Sequence, residues 1–575
     1  MFAGFVLALI SALHAQTASI RPSQLRTEYR VNPLGIDVAE PRLTWQLTAV
    51  NSKARDLKQT AYRIVAAGDK GEMWDTGKVE SDQSIQVVYK GKPPPDGARV
   101  NWRVQVWDRD GRVSPWSEPA SWSMGLSKWD AEWIGYDESG LIKNPESAYW
   151  ELIKAHWIWF PSGNKGTLSK TFQVPTDTKI KNSVCIIGAD NTYELTINGV
   201  KTAMGGSARM PDVLDVTAQI RPGENVLSVD ASDSRPKDQG GLIVALRIKF
   251  MAGPPMFVYS NKDWKDAKYL GPYGMLPWGE AGFNNERTLP ARMLRREFTA
   301  EKQVKRAMAY VSGLGLFEMY LNGVKVGDRV LSPGSTDYTR HVFYVTHDVT
   351  KQIHRGVNAA GLILGNGRYF APRLNIPEPM VSFGFPKARA QIEIEYTDGT
   401  TSRVITNQEW ALTRDGPIRA NNEFDGEEYD ARKEMDGWAS PGFDDYHWEA
   451  SRKVTPPSGK LVAQMAEPIR VVETLKPVKV TQRAPGVWVY DMGQNIGGWC
   501  RVRVAGPRGA RITLRHAEIL EAERSARATD LYILKGGGPE SYEPRFTYHG
   551  FRYVEVRGVK PLALEGRVLT SLETK

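Results

Sequence analysis

Apolar and polar residues alternate in short runs along most of the chain, and Gly, Asn, Asp and Pro separate the runs. Alternation with a period of two marks strands with one face buried. In the first part these runs occupy 43–48, 61–67, 84–89 and 100–107, and in the last of them Val100, Trp102, Val104 and Val106 share one face. Such spacing predicts a β-sandwich over 20–127. Near the other end, alternation over 487–491, 499–504, 511–516 and 548–556 predicts a terminal sandwich over 459–575, and only 518–530 reads as a helix. The fold class is therefore all-β, a multidomain array of sandwiches.

The middle of the chain repeats itself. Tyr193-Glu194-Leu195-Thr196-Ile197-Asn198-Gly199 returns as Phe317-Glu318-Met319-Tyr320-Leu321-Asn322-Gly323, and each Asn-Gly supplies the positive φ angles of a tight hairpin. Asp215-Val216-Thr217 returns as Asp348-Val349-Thr350, and Gly223-Glu224-Asn225 as Gly356-Val357-Asn358. Three matched elements in one order predict two copies of one sandwich, of the jelly-roll kind. The segment 129–135 (Trp-Asp-Ala-Glu-Trp-Ile-Gly) reads as the opening of a sandwich whose continuation is Ala291-Arg292-Met293-Leu294. Copy one is thus predicted to be an insert over 148–252, and its host to comprise 128–147 and 253–458.

Composition narrows the function classes. A length of 575 residues suggests about four domains. With 53 Gly and 35 Pro the chain stays well below low-complexity composition. The charge of +9, from 75 basic and 66 acidic residues, carries no Lys/Arg block of the sort that nucleic-acid arms show. Cys185 and Cys500 are too few for a disulfide framework and read as buried thiols. Residues 1–15 form a short apolar run ending in small residues, which reads as a signal peptide and predicts a periplasmic or secreted protein with no membrane span after its removal. Phosphate-loop and nucleophile-elbow motifs are absent. Trp157 and Trp159 alternate onto one strand face, where core packing is favoured over sugar stacking. His516 and His549 read as single core histidines. Glu427 and Asp430 form a tempting carboxylate pair, but pairing of Asp430 with Arg432 or a neighbouring Arg in a surface loop is the plainer reading.

The motifs taken together carry a resemblance. Besides 129–135, they are Tyr320-Leu321-Asn322-Gly323, Leu331-Ser332-Pro333-Gly334, Asp337-Tyr338, Leu364-Gly365-Asn366-Gly367-Arg368-Tyr369 and Asp425-Gly426-Glu427-Glu428-Tyr429-Asp430-Ala431-Arg432. Tyr490-Asp491-Met492-Gly493-Gln494-Asn495, Leu514-Arg515-His516-Ala517-Glu518 and Phe546-Thr547-Tyr548-His549-Gly550-Phe551-Arg552-Tyr553 complete the set. In this order they resemble the amino-terminal half of bacterial α-L-rhamnosidases, while 20–127 resembles a fibronectin type III module. The resemblance implies an inverting glycoside hydrolase acting on terminal α-L-rhamnosyl residues through two carboxyl groups. Family members place those groups in an α/α barrel with an Asp-x-x-x-Arg-Asp-Glu-Arg-type segment, which this chain lacks. No catalytic residue is assigned, and the implied role is carbohydrate placement by non-catalytic β-domains, with a separately encoded barrel as a partner. The alternative is a stand-alone secreted protein that binds rhamnose or pectin.

The insert resembles a rhamnose-binding module in which calcium contacts sugar hydroxyls. Carried over, the implied ion ligands are Asp190, Asn191, Asp233 and the carbonyl of Gln239. Asp190, Asn191 and Trp157 are the implied carbohydrate contacts. Asp233 stands where Asn is usual, and Gln239 where Pro is.

Overall fold

The computed structural model describes residues 17–136, 151–152, 154–190, 192–205, 211–233, 240–273, 275, 278, 289–371, 383–519 and 528–572. Strands dominate these residues, and 3-10 turns such as Thr217–Gln219 and Ala431–Lys433 supply the helical part. In the first sandwich, Ile20–Thr27, Arg42–Ala49 and Val87–Val88 face a sheet built from Gln59–Gly68, Arg99–Asp108 and their neighbours. Val100, Trp102, Val104 and Val106 all point inward and pack with Trp45 and Trp122. The strand predicted at 84–89 shortens to Val87–Val88, because Gln86 takes a φ of 56°, which extended backbone cannot continue through. The helix predicted at 518–530 falls mainly outside the described residues, and its last two positions already belong to the strand Thr529–Ile533.

Two further sandwiches are copies of one frame. In the first copy, Ile180–Asp190, Gly241–Phe250 and His156–Trp159 lie in one sheet, and Lys165–Val174, Gly223–Ser232 and Thr192–Ile197 in the other. In the second copy, Val304–Leu314 and Lys387–Tyr396 correspond to the first sheet, and Arg292–Ala300, Gly356–Gly365 and Leu316–Leu321 to the second. Ile134–Gly135 pairs with Lys387–Ala388 of the second copy, so strands from both sides of the first copy complete the second. The copies agree to the level of single hydrogen bonds. Asn198 Nδ2 donates to Gln219 O and Asn225 Oδ1, both at 2.8 Å, and Asn322 Nδ2 donates to Gln352 O and Asn358 Oδ1 at the same distance. The Trp264 indole caps Tyr259 O at 3.0 Å as Trp410 caps Ile405 O at 2.9 Å.

The terminal sandwich is organised by one strand, Val487–Ala505, which is 19 residues long and pairs with His549–Gly558 and Ala563–Thr570. Its sheet also takes in Ile418–Asn422 and Gly426–Asp430, the latter parallel to Thr529–Ile533. Conversely, Lys460–Ala463 runs parallel to His341–Asp348 in the second copy. Host and terminal sandwich therefore exchange strands across the boundary placed at 458, and each completes the other's hydrogen bonding. Breaking one asparagine bracket tests the frame. Asn358 is wholly buried, and its Oδ1 also accepts from His354 N at 2.9 Å. Asn358→Ala should cost about 2–3 kcal/mol through the stranded donors, and chemical denaturation should show that Asn322→Ala adds little on top of it.

Candidate functional site

In a sandwich, chain segments that cross from one sheet to the other gather at its ends. The step from Ile180–Asp190 to Thr192–Ile197 is one such crossing, and 233–240 is another. Strand register brings them together. Asp190 stands opposite Gly241, and Thr192 stands opposite Ser232, the residue before Asp233. Asp190 and Asp233 thus lie at the same end of the insert, while Asn191 and Gln239 fall outside the described residues.

Each aspartate is held by a neighbour that sequence spacing did not reveal, Asp190 through its carboxylate and Asp233 through its backbone. The Trp278 indole donates to Asp190 Oδ2 at 3.0 Å. Asp233 is 2% exposed, its backbone N–H donates to Asn164 O at 2.7 Å, and its carbonyl accepts from Asn164 Nδ2 at 3.0 Å. Trp157 is a core residue, as its strand alternation suggested, and not a carbohydrate contact. It is 0% exposed and stacks under Trp278, with ring centroids 4.6 Å apart, so it props the Asp190 partner and offers no face to a sugar. Glycine at 241 is required by the same packing, since a Cβ there would stand 2.5 Å from the Trp278 ring and 3.0 Å from Trp157. Trp278 lies far from Asp190 in sequence, and nothing in its surroundings signals the contact.

Comparison of the two copies gives the edge its chemistry. Counting from the matched hairpins, Asp190 corresponds to Leu314, Asn191 to Gly315 and Asp233 to Asn366. Gly241 corresponds to Lys387, and Gly166 to Arg292. The wholly buried Arg292 donates to Asn366 Oδ1 at 3.2 Å. At these matched positions the insert has carboxylates where the host has Leu314 and Asn366, and the host has Arg292 and Lys387 where the insert has glycine. The all-oxygen donors of the insert suit a hard cation.

Residues 302–473 match the family model described as the α-L-rhamnosidase N-terminal domain, 22–128 the Rha78A-like N-terminal immunoglobulin domain, and 481–572 the bacterial α-L-rhamnosidase concanavalin-like domain. The chain carries the amino-terminal domains of the bacterial α-L-rhamnosidase family. An α-L-rhamnosidase of Streptomyces avermitilis is 37% identical over 96% of the chain and 57% of its own length, and one of Formosa agariphila is 29% identical over 92% and 45%. The solved S. avermitilis α-L-rhamnosidase complexed with L-rhamnose superimposes with a TM-score of 0.71 at 36% identity, covering 96% of this chain and 57% of that one. The enzyme from Dictyoglumus thermophilum gives 0.66 at 30%, covering 97% and 49%. The chain spans about half the length of these rhamnosidases.

Across the sheet shared by strand Gly426–Asp430 and the concanavalin-like domain, the structure also settles the other polar motifs. Asp430 pairs with Arg432 at 2.7 and 2.8 Å, as its spacing suggested. Glu427 is not on a surface loop. It is 0% exposed and accepts from Arg545 N at 3.1 Å, Phe546 N at 3.3 Å and Tyr542 OH at 3.3 Å, which fastens strand Gly426–Asp430 to the segment before His549. His516 and His549, separate in sequence, stack with centroids 4.2 Å apart, and His549 Nε2 lies 3.2 Å from both oxygens of buried Asp530. Their ligating atoms lie within 4.8 Å of one another. Imidazole lone pairs lie in the ring plane, however, and these planes are inclined by only 20°, so no single ion near both rings can sit in both. The trio is a buried hydrogen-bonded stack, and burial pushes His516 down to about 3.

Burial pushes the Glu427 carboxyl up to about 7, with Asp530 adding to the rise and Arg545 opposing it. Because this value lies above that of an unfolded glutamate, the folded chain holds a proton that the unfolded chain releases. The stabilising contribution is complete below the ordinary glutamate value and is lost as pH rises through about 7. The thermal midpoint of wild type relative to Glu427→Gln should accordingly fall between pH 5 and 8. A constant difference across that window in differential scanning fluorimetry would refute the assignment.

Proposed function

We propose that the chain is the carbohydrate-placing part of an α-L-rhamnosidase. It holds terminal α-L-rhamnosyl residues of a glycan or glycoside for hydrolysis by carboxyl groups located elsewhere, in the remainder of a longer protein or on a separate chain. The reading rests on one observation above others: at the same end of a shared frame, the host carries Arg292 and Lys387 whereas the insert carries Asp190 and Asp233. A copy with carboxylates where the other has Leu314 and Asn366, and glycines where the other has Arg292 and Lys387, is suited to receive an external cation. Asp190, Asn191, Asp233 and the Gln239 carbonyl would hold calcium. Bound there, the ion supplies open coordination positions for vicinal sugar hydroxyls within its six to eight oxygens. Trp278, propped by Trp157, fixes the orientation of Asp190.

The relative solved with L-rhamnose supports rhamnose as the sugar. Among the described residues no helix is long and apolar enough to cross a membrane, and the apolar start of the chain supports delivery to the periplasm or the exterior. Glu427 and Asp530 of the terminal sandwich are wholly buried and closed off from substrate, which supports a placing role.

Titration calorimetry with L-rhamnose tests the proposal. Binding heat should appear with calcium and vanish with chelator, and Asp190→Asn should weaken binding at least tenfold without moving the thermal midpoint measured in chelator. The purified chain should not release rhamnose from an aryl α-L-rhamnoside. Robust turnover, or heat that ignores chelator and Asp190→Asn alike, would overturn the reading.

A further inference from the structure

A cleft of about 570 Å³ runs between the host sandwich and the terminal sandwich, away from the insert. Its size and its place at a domain junction are those of small-molecule sites. The host wall supplies Glu318, Lys325 and Asp328, the terminal wall supplies Trp499, Glu543, Arg545 and Arg567, and Arg470 stands on the strand that joins them. These side chains are mutually braced. Lys325 Nζ lies 2.5 Å from Glu318 Oε1, and Tyr320 OH donates to Glu318 Oε2 at 2.7 Å. The Trp499 indole donates to Glu543 Oε2 at 3.0 Å, and Arg567 Nε lies 3.3 Å from the same carboxylate oxygen. At the rim Arg470 Nε donates to Asp328 Oδ2 at 2.8 Å.

The charge pattern identifies the ligand class. Four cations, Lys325, Arg470, Arg545 and Arg567, are interleaved with three carboxylates, Glu318, Asp328 and Glu543, so the cleft is nearly balanced. A guanidinium only donates and a carboxylate only accepts, whereas a sugar hydroxyl does both. Adjacent hydroxyls can therefore bridge each braced pair, while an anionic ligand would meet three fixed carboxylates. The rim pair is 42% and 71% exposed at its side chains, which leaves it little structural weight and full access to a ligand. We infer that this cleft is a second carbohydrate subsite, independent of the acidic end of the insert, that takes a neutral, hydroxyl-rich oligosaccharide.

The test uses the full chain carrying Asp190→Asn, in chelator, so that the insert is silent. The probe is a neutral α-L-rhamnosyl-glucose disaccharide, followed by saturation-transfer NMR and calorimetry. Saturable binding is expected, and Arg470→Ala combined with Asp328→Ala should weaken it at least tenfold with an unchanged thermal midpoint. Glu543→Gln should weaken it as well. Absence of binding in chelator, or binding that the rim variant leaves intact, would overturn the subsite. Tighter binding of the matching rhamnosyl-glucuronate disaccharide would overturn its neutral specificity. Loss of calcium-dependent rhamnose binding in wild type, with the disaccharide signal retained, would instead remove the role proposed for the insert.

Discussion

Backbone groups that leave the sheet ladders at the hairpin end of a sandwich lose their strand partners and need others. In both copies one asparagine meets this demand. Asn198 and Asn322 sit in the turn with φ near 50°, and each donates to a second, wholly buried asparagine, Asn225 or Asn358. That second side chain closes the neighbouring turn by donating to two carbonyls of its own loop. The bracket fixes the register of the flanking strands, and because corresponding strands have equal lengths in the two copies, it also fixes which residues arrive at the opposite end. The edge that carries the candidate site is thus set from the far side of the domain.

Duplication of this frame has left its open end with two uses. In the host, Gly365 packs so closely on Phe546 that a Cβ would stand 2.3 Å from the ring, and Asn366 is tied to Asn421 of the terminal sheet. That end is consumed by the junction between sandwiches, where a desolvated Arg292 finds neutral acceptors. In the insert the same end carries two aspartates, the Asp190 carboxylate held by Trp278 and the Asp233 backbone by Asn164. Burying it against a neighbour would carry the cost of desolvating charge, whereas a hard cation would use that charge.

The terminal sandwich shows why paired acids in sequence need not be an active pair. Glu427 and Asp430 are three residues apart, yet on a strand they point to different surroundings. Glu427 faces the core and holds together two segments that the chain brings in from far apart, and the buried Asp430 instead pairs with the partly exposed Arg432. Exchange of strands with the host makes such internal fastening necessary, since parallel pairing of Gly426–Asp430 with Thr529–Ile533 joins segments about a hundred residues apart.

Alternation and turn chemistry are local properties, and they were enough to establish the all-β class, the duplicated hairpins, the inward faces of strands such as 100–107 and the Asp430–Arg432 pair. The motifs in family order also identified the rhamnosidase relationship. Contacts between distant segments are not written in local pattern. Trp278 over Asp190, the stack of His516 on His549, the burial of Glu427 and the place of Trp157 beneath Trp278 all depend on which strands become neighbours. The chain's own pattern could say that two copies exist, but only packing decided that one copy's end would be sealed by the terminal sandwich while the other's kept its carboxylates, because register and domain contact, rather than residue spacing, determine what each side chain meets.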